Sequence, residues 1–77
     1  RGVELRAAAF GRLRDWRAQI ARAHGVPAYV VFHDSTLRAI AQARPASLEA
    51  LRAIPGLGER KLANYGAELL AVVSEIA

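Results

Sequence analysis

Apolar residues recur at helical spacing along almost the whole chain, and this pattern leaves little room for any other secondary structure. From Val3 to His24 they lie three and four positions apart, which predicts one long amphipathic helix. Only the run YVVF at 29–32 has the composition of a strand, and no other segment could pair with it. The sequence therefore predicts an all-α fold.

Turn-forming residues mark the ends of the first two helices. Gly25 suits the position just after a helix, and Pro27 prevents the helix from continuing. The segment 25–34 is expected to be a partly buried, turn-like connection. Asp34 or Ser35 is then expected to cap the second helix.

The second half of the chain predicts two or three further helices. Ser47 is expected to cap a short one. A longer one begins near Glu59, and Gly66 either divides it into two helices or lets a neighbouring backbone approach. The whole chain is predicted to form a compact bundle of four to five short helices. The residues expected on the buried side of the short helix are Leu48, Leu51 and Ile54.

Packing alone has to stabilise these 77 residues. The chain contains no cysteine, and its two histidines stand apart from any carboxylate constellation, so we predict no disulfide and no metal site. A hydrophobic content of 53% is consistent with a single packed core. Residues 1–77 are therefore predicted to be one domain. Because the chain starts at Arg1, we expect it to be a piece of a longer protein.

Charge and composition narrow the function. The net charge of +4 favours a polyanionic partner. The seven carboxylates are scattered, and no nucleophile–base arrangement or phosphate-binding Gly-rich loop is evident, so we expect no catalysis by this domain and no cofactor. No apolar run approaches the roughly 20 residues of a membrane span.

The segment AIPGLGERKLANYG is a candidate nucleic-acid contact with the character of a helix-hairpin-helix turn. The start of a helix offers unpaired N–H groups that suit a phosphate oxygen. Gly56 and Gly58 would let a backbone come close, while Arg60 and Lys61 would add positive charge. A compact turn between two packed helices explains the same residues equally well.

Two further residues extend this candidate surface. Tyr29 could expose its ring for base stacking, worth about 1–3 kcal/mol per base, or could be a core tyrosine. Arg38, on the second helix, would add to a basic patch if the fold brings it close to Arg60 and Lys61.

Two segments together resemble the HRDC (helicase and RNase D C-terminal) domain, most closely that of bacterial RecQ-type DNA helicases. They are VPAYVVFHDSTL at 26–37 and IPGLGERKLANYG at 54–66. The resemblance implies a bundle of about five helices that helps an ATP-dependent helicase bind single-stranded or junction-containing DNA in repair and recombination. It also implies a cytoplasmic protein acting at the bacterial nucleoid and contacts with other domains of the helicase.

The resemblance assigns roles to particular residues as well. In RecQ-like members the tyrosine of the first motif lies on the DNA-binding surface, which implies that role for Tyr29. Glycines of the second motif shape its turn, and basic residues near both motifs contribute to binding. The matching positions here are Arg38, Gly56, Gly58, Arg60 and Lys61.

Two other functions fit the same residues. The apolar segment 26–32 and the mixed surface charge would also suit a protein-interaction or intramolecular docking module that regulates the parent enzyme. In an RNase D-like nuclease, the same fold would position RNA.

Overall fold

Five helices and short connections account for the chain in the computed structural model, which describes the backbone of residues 2–76 and the side chains of residues 7–76. They are α1 (Gly2–His24), α2 (Ala28–Val31), α3 (Asp34–Ala43), α4 (Leu48–Arg52) and α5 (Glu59–Glu75). No strand occurs between residues 2 and 76. The predicted all-α bundle is confirmed, with the larger of the two expected helix numbers.

Helix α1 is the element against which most of the others pack. Helices α2, α3 and α5 contact it, and α4 packs on α5. Burying a large apolar side chain stabilises a fold by about 1.5–3 kcal/mol, and such side chains come from both halves of the chain. The largest fully buried ones are Leu13, Phe32, Leu37, Ile40, Leu51 and Leu69.

Helix α2 is a single turn that divides its apolar residues between core and surface. Pro27 precedes it in an extended conformation, and Phe32 is extended again at its end. Val31 and Phe32 are buried, whereas Tyr29 and Val30 are exposed. The predicted partly buried, turn-like connection is therefore confirmed, and its exposed half becomes part of the surface described below.

The capping prediction for α3 was wrong. His33 is the N-cap residue and makes no side-chain cap hydrogen bond. Asp34 is the first residue inside the helix, and its carboxylate lies 2.7 Å from the Arg17 guanidinium. The ion pair with α1 uses the carboxylate that a local cap would have needed. For α4 the prediction is confirmed, because the Ser47 hydroxyl accepts a hydrogen bond from the Ala50 N–H at 3.1 Å.

Gly66 provides space for a side chain of α4. Helix α5 continues through it without a break, and a Cβ built at this position would lie 2.8 Å from Cδ2 of Leu48. The predicted division of the helix is therefore wrong, and the close approach is made by a side chain instead of the predicted neighbouring backbone. Leu48 itself was predicted to be buried and is half-exposed instead, although the end of its side chain contacts α5 at Gly66.

Two kinds of feature are absent from the described part of the chain. Among residues 2–76, no helix combines the length and apolarity that crossing a bilayer requires. The described side chains contain no group of three His, Asp or Glu residues that could hold a metal ion.

Candidate nucleic-acid interface

Tyr29 presents its ring on the surface of α2. Tyr29 is 62% exposed, so it is not a core tyrosine. Burial of Val31 and Phe32 anchors the single turn and leaves Tyr29 directed outward. The ring packs nearly parallel to that of His33, with centroids 6.3 Å apart and an angle of 25° between the planes. The histidine thus supports one side of an exposed aromatic platform.

Lys61 reaches from α5 to the residue next to Tyr29. Its Nζ donates a hydrogen bond to the Val30 carbonyl oxygen at 3.3 Å and lies 5.1 Å from the centre of the Phe32 ring. An ammonium group has three donors, so two remain for a ligand. The structure therefore places a cation at the backbone of the residue that follows Tyr29, although Val30 and Lys61 are 31 positions apart in the chain.

The glycine turn between α4 and α5 packs on the start of α3. Gly56 has φ +87°, and a Cβ at this position would lie 2.5 Å from the Thr36 hydroxyl oxygen. Gly58, by contrast, is an extended N-cap residue, and nothing lies within 4 Å of its Cβ position. Gly56 is therefore needed by the fold itself. The turn brings the beginning of α5, with Lys61, to the junction of α2 and α3.

Arg60 points into solvent next to Lys61. The structure gives it no ion pair among the described side chains. Its acidic neighbour Glu59 lies 2.9 Å from the Arg52 guanidinium. That contact offsets part of the negative charge at the start of α5, so the positive charges of Arg60 and Lys61 are less opposed than the sequence alone indicates.

Arg38 lies on a different side of α3. Its guanidinium is 4.9 Å from the centre of the Phe10 ring on α1. Residues two apart on an α-helix point about 200° away from each other, and Thr36 is the residue that meets the glycine turn. The structure thus brings Tyr29, Lys61 and the glycine turn to one junction and places Arg38 on the face toward α1.

A buried arginine, Arg17 of α1, stabilises that junction, and the sequence analysis did not identify it. The Arg17 side chain is 8% exposed, and its Nη1 donates to the Phe32 carbonyl oxygen at 2.8 Å and lies 2.7 Å from the Asp34 carboxylate. The hydrogen bond from Arg17 to the Asp34 carboxylate holds the pKa of Asp34 below its ordinary value, against a smaller opposing effect of desolvation. The nearby guanidinium charges, including those of Arg14 and Arg38, lower the pKa further. The sequence did contain an indication that Arg17 is buried, since position 17 follows Leu13 by one helical turn and therefore lies on the same face of α1.

Comparison with known proteins assigns this chain to a family. Residues 6–73 match the family model described as HRDC domain. The chain belongs to the HRDC family. This confirms the resemblance that the two motifs indicated.

Relatives of this HRDC domain include two kinds of bacterial helicase. It is 52% identical over 62 residues to the ATP-dependent DNA helicase UvrD2 of Mycobacterium tuberculosis, covering 80% of this chain and 9% of the relative. It is 41% identical over 68 residues to the ATP-dependent DNA helicase RecQ of Bacillus subtilis, covering 88% and 12%. The chain thus spans about a tenth of the length of these relatives.

A solved structure shares the fold. The structure described as D. radiodurans RecQ HRDC domain 3 superposes on this HRDC domain with a TM-score of 0.88 at 34% identity. The match covers 92% of this chain and 93% of the other.

Proposed function

We propose that this HRDC domain is a non-catalytic accessory domain of an ATP-dependent DNA helicase, and that residues 1–77 form one unit of a longer cytoplasmic protein. The names of the relatives support a helicase, and the higher identity to UvrD2 favours a parent of that kind over a RecQ-type parent. The domain binds single-stranded or junction-containing DNA weakly. It thereby brings the helicase to its substrates in repair and recombination.

One observation supports DNA binding above all others: an exposed aromatic ring lies beside a lysine that a hydrogen bond holds in place. A base stacks on the outer face of Tyr29, while Lys61 and Arg60 neutralise neighbouring phosphates. A stacking platform accepts every base because each has a π-face, so little sequence preference is expected. Weak binding suffices, since tethering to the motor raises the effective concentration of DNA sites.

The docking alternative rests on a different property of the same surface. Val30 is half-exposed next to Tyr29, and the two form a small apolar patch that a protein partner could cover. The RNA-positioning alternative has less support, because the relatives described above are DNA helicases.

Fluorescence anisotropy with a labelled single-stranded oligonucleotide of about 15 nucleotides tests the proposal. We expect Tyr29→Ala to weaken binding about 5- to 150-fold, which corresponds to about 1–3 kcal/mol of lost stacking. Tyr29→Phe retains a ring and should bind like the wild type. Lys61→Gln should weaken binding and reduce its salt dependence between about 50 and 200 mM, because one fewer counterion is released.

Arg12→Gln is the matched charge control. It removes one cation that is already paired with Glu75 at 2.7 Å, so DNA affinity should change little. Circular dichroism of each variant confirms that it is folded. Failure of the folded wild-type domain to bind at about 50 mM salt would overturn DNA binding and favour docking. A Val30→Asp change that disrupts association with the motor domain would then support the docking function.

A further inference from the structure

Arg14 and Arg38, here called the arginine pair, share one aromatic ring. Their guanidinium carbons lie 5.7 and 4.9 Å from the centre of the Phe10 ring, although one arginine is on α1 and the other on α3. Both side chains are exposed, while Phe10 is half-buried. Contact with the ring face favours a cation and limits the movement of a long side chain. Two charges are thus held close together at the surface.

Carboxylates near the arginine pair do not balance its charge. Asp34 lies close enough for both arginines to affect its titration, but its carboxylate is already paired with Arg17 at 2.7 Å. No ion pair to Arg14 or Arg38 occurs among the described side chains. Two guanidinium groups that lack carboxylate partners repel each other, and a bound anion would offset that repulsion.

A shallow groove lies next to one member of the arginine pair. Its lining includes Arg14 and Ala28, the residue immediately before Tyr29, but neither Arg38 nor Tyr29 itself. Half of its lining residues are glycine or alanine, so an extended chain can lie close to the backbone of α1. One carboxylate, that of Asp15, also lines it. The full lining is Gly11, Arg14, Asp15, Arg17, Ala18 and Ala28.

We propose that the arginine pair is a second phosphate-binding site for the same DNA strand, and that the strand crosses the groove between Tyr29 and Arg14. This inference rests on the proposed function. Stacking on Tyr29 fixes one nucleotide beside Lys61, and the backbone then follows α1 to the arginine pair. Arg14 is therefore a DNA-contacting residue that neither motif indicated. The footprint extends over several nucleotides instead of one.

Oligonucleotide length distinguishes this second site from the first. A strand of about 4 nucleotides occupies the surroundings of Tyr29, whereas one of about 15 nucleotides also reaches the arginine pair. One neutralised phosphate contributes about eightfold to single-strand affinity at 50 mM salt and about threefold at 200 mM. We expect Arg14→Gln to weaken binding of the longer strand by these factors, and to leave the shorter strand unaffected.

Two variants separate charge from other effects. Arg14→Lys keeps the cation and should retain the salt dependence of the wild type. Arg12→Gln makes the same change of net charge two residues away, about 200° around α1, and should leave both strands unaffected. The urea midpoint of Arg14→Gln should match that of the wild type, because the Arg14 side chain is exposed.

The possible outcomes distinguish the second site, the path along the groove and the proposed function. Equal behaviour of Arg14→Gln and Arg12→Gln on the longer strand overturns the second site, while the proposed function stands if Tyr29→Ala still weakens binding. An equal loss on the short and long strands overturns the path along the groove. Absence of binding by the folded wild-type domain overturns both the proposed function and the second site.

Discussion

Arg17 shows how much of this molecule depends on a single side chain. One guanidinium nitrogen serves two acceptors, the Phe32 carbonyl oxygen and the Asp34 carboxylate, and so connects α1 to both ends of the α2–α3 junction. Its Nε is buried without a hydrogen-bond partner among the described residues. Burial of a charged group in this way is tolerated only when a counter-charge is present. The junction that carries Tyr29 therefore depends on an ionised Asp34.

The stability contributed by Asp34 should depend on pH. Its pKa in the folded protein lies below that of the unfolded chain, chiefly because Arg17 hydrogen-bonds the carboxylate. The contribution is therefore complete above about pH 4, the ordinary range for this carboxyl. It is lost as the pH falls through the lower, folded-state value. We expect wild type to be more stable than Asp34→Asn at pH 7, and the two to converge in acid.

Urea unfolding between acid and pH 7 measures the difference in the free energy of unfolding between wild type and Asp34→Asn. Glu75→Gln is the control, since its carboxylate belongs to an exposed ion pair that is expected to contribute less than about 1 kcal/mol. A difference between wild type and Asp34→Asn that stays constant down to low pH would contradict the ion-pair explanation.

At the level of elements, the short connections position the candidate site. The single turn of α2 exposes the aromatic platform, and the glycine turn brings the beginning of α5 against it. Contact between Gly56 and Thr36 sets how closely the turn between α4 and α5 approaches α3. The long helices supply the core on which these connections rest.

Gly56→Ala should destabilise the domain by about 1–3 kcal/mol, a typical cost for a strained backbone conformation. Both the positive φ angle and the short distance to the Thr36 hydroxyl oppose a Cβ here. Gly25→Ala separates the two causes, because Gly25 also has a positive φ, of +66°, but nothing lies within 4 Å of its Cβ position. Chemical denaturation gives the free energy of unfolding for each variant.

Removal of the opposing hydroxyl provides the second comparison for Gly56. In the Thr36→Ala background, Gly56→Ala should cost no more than Gly25→Ala does alone, since only the backbone strain remains. If Gly56→Ala is as mild as Gly25→Ala in the wild-type background, the turn does not pack against α3 as described.

The described side chains form one hydrophobic core cluster, and Trp16 contacts several parts of it. The centre of the indole ring lies 6.0 Å from the ring centres of both Phe32 and Tyr65. The indole N–H donates a hydrogen bond to the Glu68 carboxylate at 3.4 Å. The Cα radius of gyration of 11.6 Å agrees with the roughly 11–12 Å expected for a single domain of this length. Unfolding of α1, α5 or the α2–α3 junction should therefore change the surroundings of the indole.

We expect the domain to unfold in one cooperative transition. Tryptophan fluorescence and helical circular dichroism, followed in the same urea titration, should give the same midpoint and the same slope, because α1 and α5 share the core. A circular dichroism change that precedes the fluorescence change would show that some helices unfold separately, and residues 1–77 would not then be a single unit.

Local interactions explain which parts of the fold were predictable. The apolar stripe of α1, the Ser47 cap and the start of α5 near Glu59 depend on residues within a few positions of one another, so the sequence alone was enough. The motifs that indicated the HRDC family also identified Tyr29 and Lys61 as candidates. Their roles in DNA binding remain predictions.

Tertiary packing decided the rest. The position of Lys61 beside Tyr29, the separation of Arg38 from the glycine turn, and the role of Arg17 all depend on contacts between different elements. Spacing along a helix determines the face on which a residue lies, but not which element that face meets. Asp34 illustrates the difference, because a cap available within its own helix was replaced by an arginine brought from α1 by packing of the core.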